Sequence, residues 1–119
     1  MPGKLTTHVL DTSSGRPAGR MRVQLFWVEP DGSPDVLIRA TVTNADGRTE
    51  GPMIDGDRFS AGTYKLVFHV GEYFASCGHA DARRFLDVVP ICFVIDDATI
   101  PYHVPLLVSP WAYSTYRGS

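Results

Sequence analysis

The feature that most constrains this chain is one turn near its end, Ser109-Pro110-Trp111-Ala112, set between two strand-like segments. Serine is favoured at the first turn position, and proline at the second presets the backbone angle that a β-turn requires. The flanking segments, Tyr102 to Val108 and Tyr113 to Tyr116, mix β-branched, aromatic and Leu residues as strands do. If Ser109 closes on Ala112, residues whose numbers sum to 221 face one another. His103 is then opposite Gly118, Pro105 opposite Tyr116, and Leu107 opposite Ser114, all on one face. That face carries an imidazole, a phenol and a hydroxyl, with the Ser119 carboxylate close by. Arg117 falls on the opposite face. Pro105 has no amide hydrogen to give, so the ladder is weakest there.

Upstream, the chain reads as short strands punctuated by turns. Lys4 to Asp11 alternates, with Leu5, Thr7 and Val9 on one face and Thr6, His8 and Leu10 on the other. Thr12 to Pro17 is turn chemistry, and Met21 to Glu29 is a strand with both faces partly apolar. Pro30 to Pro34 is a loop. Val36 to Thr43 is a further strand, and Asn44-Ala45-Asp46-Gly47 turns the chain. Gly51 to Gly56 leaves room for a very short strand. Thr63 to Val70 alternates well enough to be central. Glu72 to Gly78 is the one helix candidate, ending where a glycine can terminate it. Val88 to Ile95 is a strand interrupted by Pro90. Seven or eight strands with one short helix predict an antiparallel β-sandwich, built as a single domain over residues 1–119.

Charge and composition exclude several functions. With 11 basic and 13 acidic residues in 119, the chain has no basic field for nucleic acid or an anionic membrane. No stretch reaches the ~18 apolar residues of a membrane span. Met1 to Lys4 leads directly into a strand pattern without an apolar leader, and Cys77 and Cys92 form no CxxC or disulfide framework. A cytoplasmic protein with reduced thiols is expected.

Among groups capable of chemistry, His8 lies on the less apolar face of the first strand, and His103 shares a face with Tyr116. Read alone, His8 could be a surface histidine, Arg48 a solvated turn residue and Tyr116 a packing aromatic. The sequence leaves open whether the faces bearing His8 and His103 converge. Rival sites are weak. His69, Cys77, His79 and Cys92 offer only Cys-x-His, short of the three ligands a hydrolytic zinc needs, and no metal or cofactor is expected. GxSxG, Walker and GxGxxG patterns do not occur.

Three stretches carry a resemblance. HVPLLVSPWAYST followed by the terminal YRGS, LTTHVLDTSSGRPA at Leu5 to Ala18, and ADGR at Ala45 to Arg48 resemble the 5-hydroxyisourate hydrolases, or transthyretin-related proteins. The resemblance implies a transthyretin-like sandwich of two four-stranded sheets with a short helix. It implies a homotetramer, a dimer of dimers, with sites at the dimer–dimer interface. The small-molecule substrate it implies is 5-hydroxyisourate, opened by water. His8 and His103 match the family's functional histidines, and Arg48 its substrate-gripping arginine. Tyr116 matches a substrate-binding residue and Ser119 a neighbour that takes part in catalysis. A non-catalytic small-molecule carrier of the same fold is the alternative.

Overall fold

The computed structural model describes residues 3–118. Nine strands occur in chain order: β1 Lys4–Asp11, β2 Arg16–Pro17, β3 Arg22–Trp27, β4 Val36–Val42, β5 Ile54–Asp55, β6 Gly62–His69, β7 Val88–Ile95, β8 Tyr102–Val108 and β9 Tyr113–Thr115. A single turn of 3-10 helix follows β5, and helix α1 spans Val70–Ser76. One sheet has the order β2-β1-β8-β9, with β5 also on β1; the other has the order β4-β3-β6-β7. The two-residue β5 makes the first sheet five-stranded.

The period of two in β1 sets the layers. Leu5, Thr7, Val9 and Asp11 are buried, while Lys4, Thr6, His8 and Leu10 face outward. In β8, Tyr102, Val104, Leu106 and Val108 join the same core. From the second sheet, Val23, Leu25, Leu66 and Phe68 fill the other side, each with no exposed surface. Alternation of this kind buries one face of each sheet against the other.

Two expectations need correction. First, β1 pairs with β8 in parallel, Thr6 opposite His103 and His8 opposite Pro105, so the sandwich is antiparallel in every pairing except this one. Turn chemistry reports only neighbours along the chain, and these strands lie at opposite ends of it. Second, Pro90 does not interrupt β7, which runs unbroken from Val88 to Ile95. β7 is an edge strand with β6 as its one neighbour, where a proline's missing donor costs no ladder bond.

The helix begins two residues before the predicted start. Its end is as expected: Gly78 has φ +74, the Gly78 amide donates to the Ala75 carbonyl at 3.0 Å, and the His79 amide to Phe74 at 3.0 Å. That pair of bonds is a Schellman cap.

Candidate active site

The C-terminal hairpin has the register its turn dictates. The Ser109 amide donates to the Ala112 carbonyl at 2.9 Å, and Leu106, Leu107 and Val108 face Thr115, Ser114 and Tyr113. Beyond Thr115 the ladder lapses at Pro105, whose carbonyl instead accepts the Thr115 hydroxyl at 2.7 Å. Pairing resumes once, where Gly118 donates its amide to the His103 carbonyl at 2.7 Å. An atom at the β-carbon position of Gly118 would lie 2.6 Å from His103 Cδ2. A side chain there would force the imidazole to shift.

His8 and His103 both point away from the core, because both stand on the outward positions of adjacent strands. Arg48 reaches the same face from a different direction. The Asn44 carbonyl accepts the Gly47 amide at 2.9 Å, closing a turn. The Asn44 side chain also accepts the Asp46 amide at 2.9 Å. Gly47, at φ +73, passes so close to β1 that a β-carbon would fall 2.4 Å from the Val9 carbonyl. The Val9 amide donates to Gly47 at 2.9 Å, and Arg48 forms a bridge with His8. The short NADGR segment thus docks an arginine beside the first histidine. Its guanidinium makes no ion pair among the described residues.

Arg48 and His103 line a cleft of ≈ 440 Å³ with Lys4, Thr6, Pro101 and Tyr102; His8 is bridged to Arg48 on the same face but is not part of that lining. Partial burial holds the His103 imidazole below its ordinary pKa of 6.5, and the nearby charges of Arg48 and His8 push the same way. Each makes the protonated ring costlier. The ring is therefore neutral near pH 7 and able to accept a proton, beside a cation that attracts an anionic or carbonyl-rich molecule.

Tyr116 lies elsewhere in the single chain. The residue is 60% exposed and lines a separate cavity of ≈ 220 Å³ with Ile91, Phe93 and Val104. Arg117 turns to the other face as expected, its guanidinium 4.3 Å from the centre of the Tyr102 ring. Ser119 lies outside the described residues. Thr6 and Lys4 line the cleft without having been singled out from sequence. The parallel register that sets Thr6 beside His103 was the missing signal.

The residues with weak metal spacing are scattered. His69 Nε2 is 2.7 Å from Gln24 Oε1, the Asp81 amide donates to His79 at 3.2 Å, and Cys77 and Cys92 are free and exposed. Among the described residues no group of three or more His, Cys, Asp or Glu side chains could hold a metal ion. None of their helices is long and apolar enough to cross a membrane.

Known proteins share this sequence and fold. A 5-hydroxyisourate hydrolase of Rhizobium meliloti (strain 1021) is 53% identical over 118 residues, covering 98% of this chain and 97% of its own. The crystal structure of an (S)-allantoin synthase superposes with a TM-score of 0.91 at 50% identity, covering 99% of this chain, which spans only 44% of that longer one. The structure of Klebsiella pneumoniae 5-hydroxyisourate hydrolase matches with a TM-score of 0.76 at 35% identity, covering 98% of this chain and 99% of that one. The HIUase/Transthyretin family model matches residues 5–118. By its sandwich, by the face that gathers His8, Arg48 and His103, and by this match along nearly its full length, the chain belongs to the HIUase/Transthyretin family.

Proposed function

We propose that this protein is a 5-hydroxyisourate hydrolase, opening the six-membered ring of its substrate to give 2-oxo-4-hydroxy-4-carboxy-5-ureidoimidazoline. The observation that carries the reading is the meeting of two histidines and an arginine on one outward face. Relatives of that name about half identical over their full length support it.

In this reading His103 accepts a proton from a water molecule while the water oxygen bonds to the ring carbonyl carbon. The carbonyl π pair moves to its oxygen, where Arg48 offsets the developing charge. Collapse of that intermediate breaks the C–N bond. The leaving nitrogen takes a proton from His103 or His8, and a carboxyl group remains on the product. Ser119, next after Gly118, and Tyr116 complete the proposed substrate contacts. No covalent enzyme intermediate is required.

A carrier of the same fold would bind a molecule without turning it over. The two readings separate when protein is far scarcer than freshly prepared 5-hydroxyisourate and ultraviolet absorbance is followed. A hydrolase speeds the decay of many equivalents, whereas a carrier perturbs at most one per site.

Arg48→Lys is expected to lose nearly as much catalytic efficiency as Arg48→Ala, because an ammonium cannot supply the planar two-pronged grip of a guanidinium. Lysine retains the charge that holds the His103 pKa down, so the acid limb of its pH profile should stay near that of wild type. In Arg48→Ala that limb should move to higher pH. Unchanged efficiency in the lysine variant would leave Arg48 as a turn residue only.

The outward face of the first sheet also carries partly exposed Leu10 and Leu107. Near it Tyr113 and Tyr116 are 46% and 60% exposed. Apolar surface beside a cleft invites cover by another subunit. A homotetramer, a dimer of dimers with sites at the dimer–dimer interface, would supply it and bring Tyr116 of a neighbouring copy within range. Light scattering at assay concentration should report four chains, and an active monomer would contradict this assembly.

A further inference from the structure

The His103 ring is held across its strand. β8 lies between β1 and β9. On the β1 side the Thr6 hydroxyl is 2.8 Å from His103 Nδ1. On the β9 side the vacant β-carbon position of Gly118 lies 2.6 Å from Cδ2 and 3.2 Å from Cγ. Nδ1 and Cδ2 flank Cγ on opposite sides of the imidazole. With one turned to each neighbouring strand, the far edge of the ring, Cε1 and Nε2, is the edge that leaves the sheet.

Building on the hydrolase reading above, we propose that Thr6 is a positioning residue: it holds the proton of neutral His103 on Nδ1, so that the lone pair on Nε2 is presented outward as the base. A hydroxyl can either donate or accept, so its distance alone does not fix the tautomer. The placing of the two ring edges does, in the hydrolase reading: Nε2 is the nitrogen that leaves the sheet, and it can take a proton from water only where the hydrogen stands on Nδ1. Nδ1–H then donates to the Thr6 hydroxyl oxygen, which accepts. The bond made by one imidazole nitrogen decides what the other can do. A ring with the opposite tautomer would aim an N–H at the water and could not take its proton.

The other titratable groups near the ring do not compete for Nδ1. His8 and Lys4 approach along β1, and Arg48 from the segment beside it. Gly118 has no side chain, and Arg117 lies over Tyr102 on the other face. Ser119 is beyond the described residues. Thr6 has no catalytic contact of its own in this account and acts through His103.

Two measurements on the whole protein test this. Nitrogen-15 NMR of labelled wild type should show His103 with Nδ1 protonated and Nε2 unprotonated at a pH where the ring is neutral. Thr6→Val, which keeps the branched shape and deletes the hydroxyl, should raise the share of the Nε2–H form. It should lower kcat about tenfold with KM within about twofold, the pattern of an interaction realised in the transition state. Thr6→Ser should restore kcat to within about twofold of wild type, since it returns the hydroxyl. Wild-type His103 protonated on Nε2 would overturn the proposal, whatever happens to the variants. So would a folded Thr6→Val protein with unchanged kcat and tautomer. If wild type does not accelerate 5-hydroxyisourate decay, the hydrolase reading falls, and the wild-type spectrum still decides the Thr6–His103 arrangement independently.

Discussion

His103→Ala is expected to lower turnover of 5-hydroxyisourate by at least about 10², and His8→Ala by a similar factor, within the range that a proton-transfer group supplies. A hundredfold corresponds to about 2.7 kcal/mol of transition-state stabilisation. Neither change should unfold the protein. Both imidazoles stand on the outward face of their strands, outside the apolar cluster that holds the sheets together. Melting temperature and light scattering measured beside the kinetics separate lost chemistry from lost structure. If His8 and His103 share the proton transfers, the double variant should lose less than the product of the two single losses, because groups acting as a unit are not additive. Wild-type turnover in either single variant would remove that residue from the mechanism.

Gly118→Ala should be nearly as damaging, although it removes no titratable group. A methyl there meets Cδ2 at 2.6 Å, and Cβ and Cγ of His103 at 3.2 Å, so the imidazole must swing aside. A displacement of about 1 Å at a reacting group can cost on the order of 10² in rate, and that is the loss expected. The glycine has an ordinary backbone conformation, so the loss should leave the melting temperature within about 4 °C, less than about 1 kcal/mol for a domain of this size. Adding Gly118→Ala to His103→Ala should then cost little further, since the group it displaces is gone. A full-activity Gly118→Ala protein would mean that the hairpin end is looser than its register implies.

The hairpin was legible in the sequence because everything that sets it is local. Ser109-Pro110 specifies the turn, the turn specifies the register, and the register puts Gly118 against His103. Gly78 ends the helix for a similarly local reason. The parallel partnership of β1 and β8 was not legible: nothing in either strand's alternation names its neighbour, and partners 97 residues apart leave no turn to read. That missing pairing hid Thr6, which looks like any outward strand threonine until it stands opposite His103. Arg48 depends on the close approach of Gly47 to β1, a contact between distant segments that the NADGR turn alone does not specify. Tyr116 shows the limit of extending an ideal ladder past a proline. Its register position faces Pro105, yet the chain leaves the ladder there and the phenol lines another cavity.

The acid limb of kcat/KM tests most directly whether a neutral His103 acts as base beside Arg48. The limb reports the ionisation of the free enzyme. Burial, Arg48 and His8 depress the His103 pKa from its ordinary 6.5, so the unprotonated base persists as the pH falls below that value and is lost only at lower pH. With spontaneous decay of 5-hydroxyisourate subtracted at each pH, wild type should reach half-maximal kcat/KM below pH 6.5. An acid limb centred at or above that pH would contradict the assignment of His103, as placed in this fold, as the base.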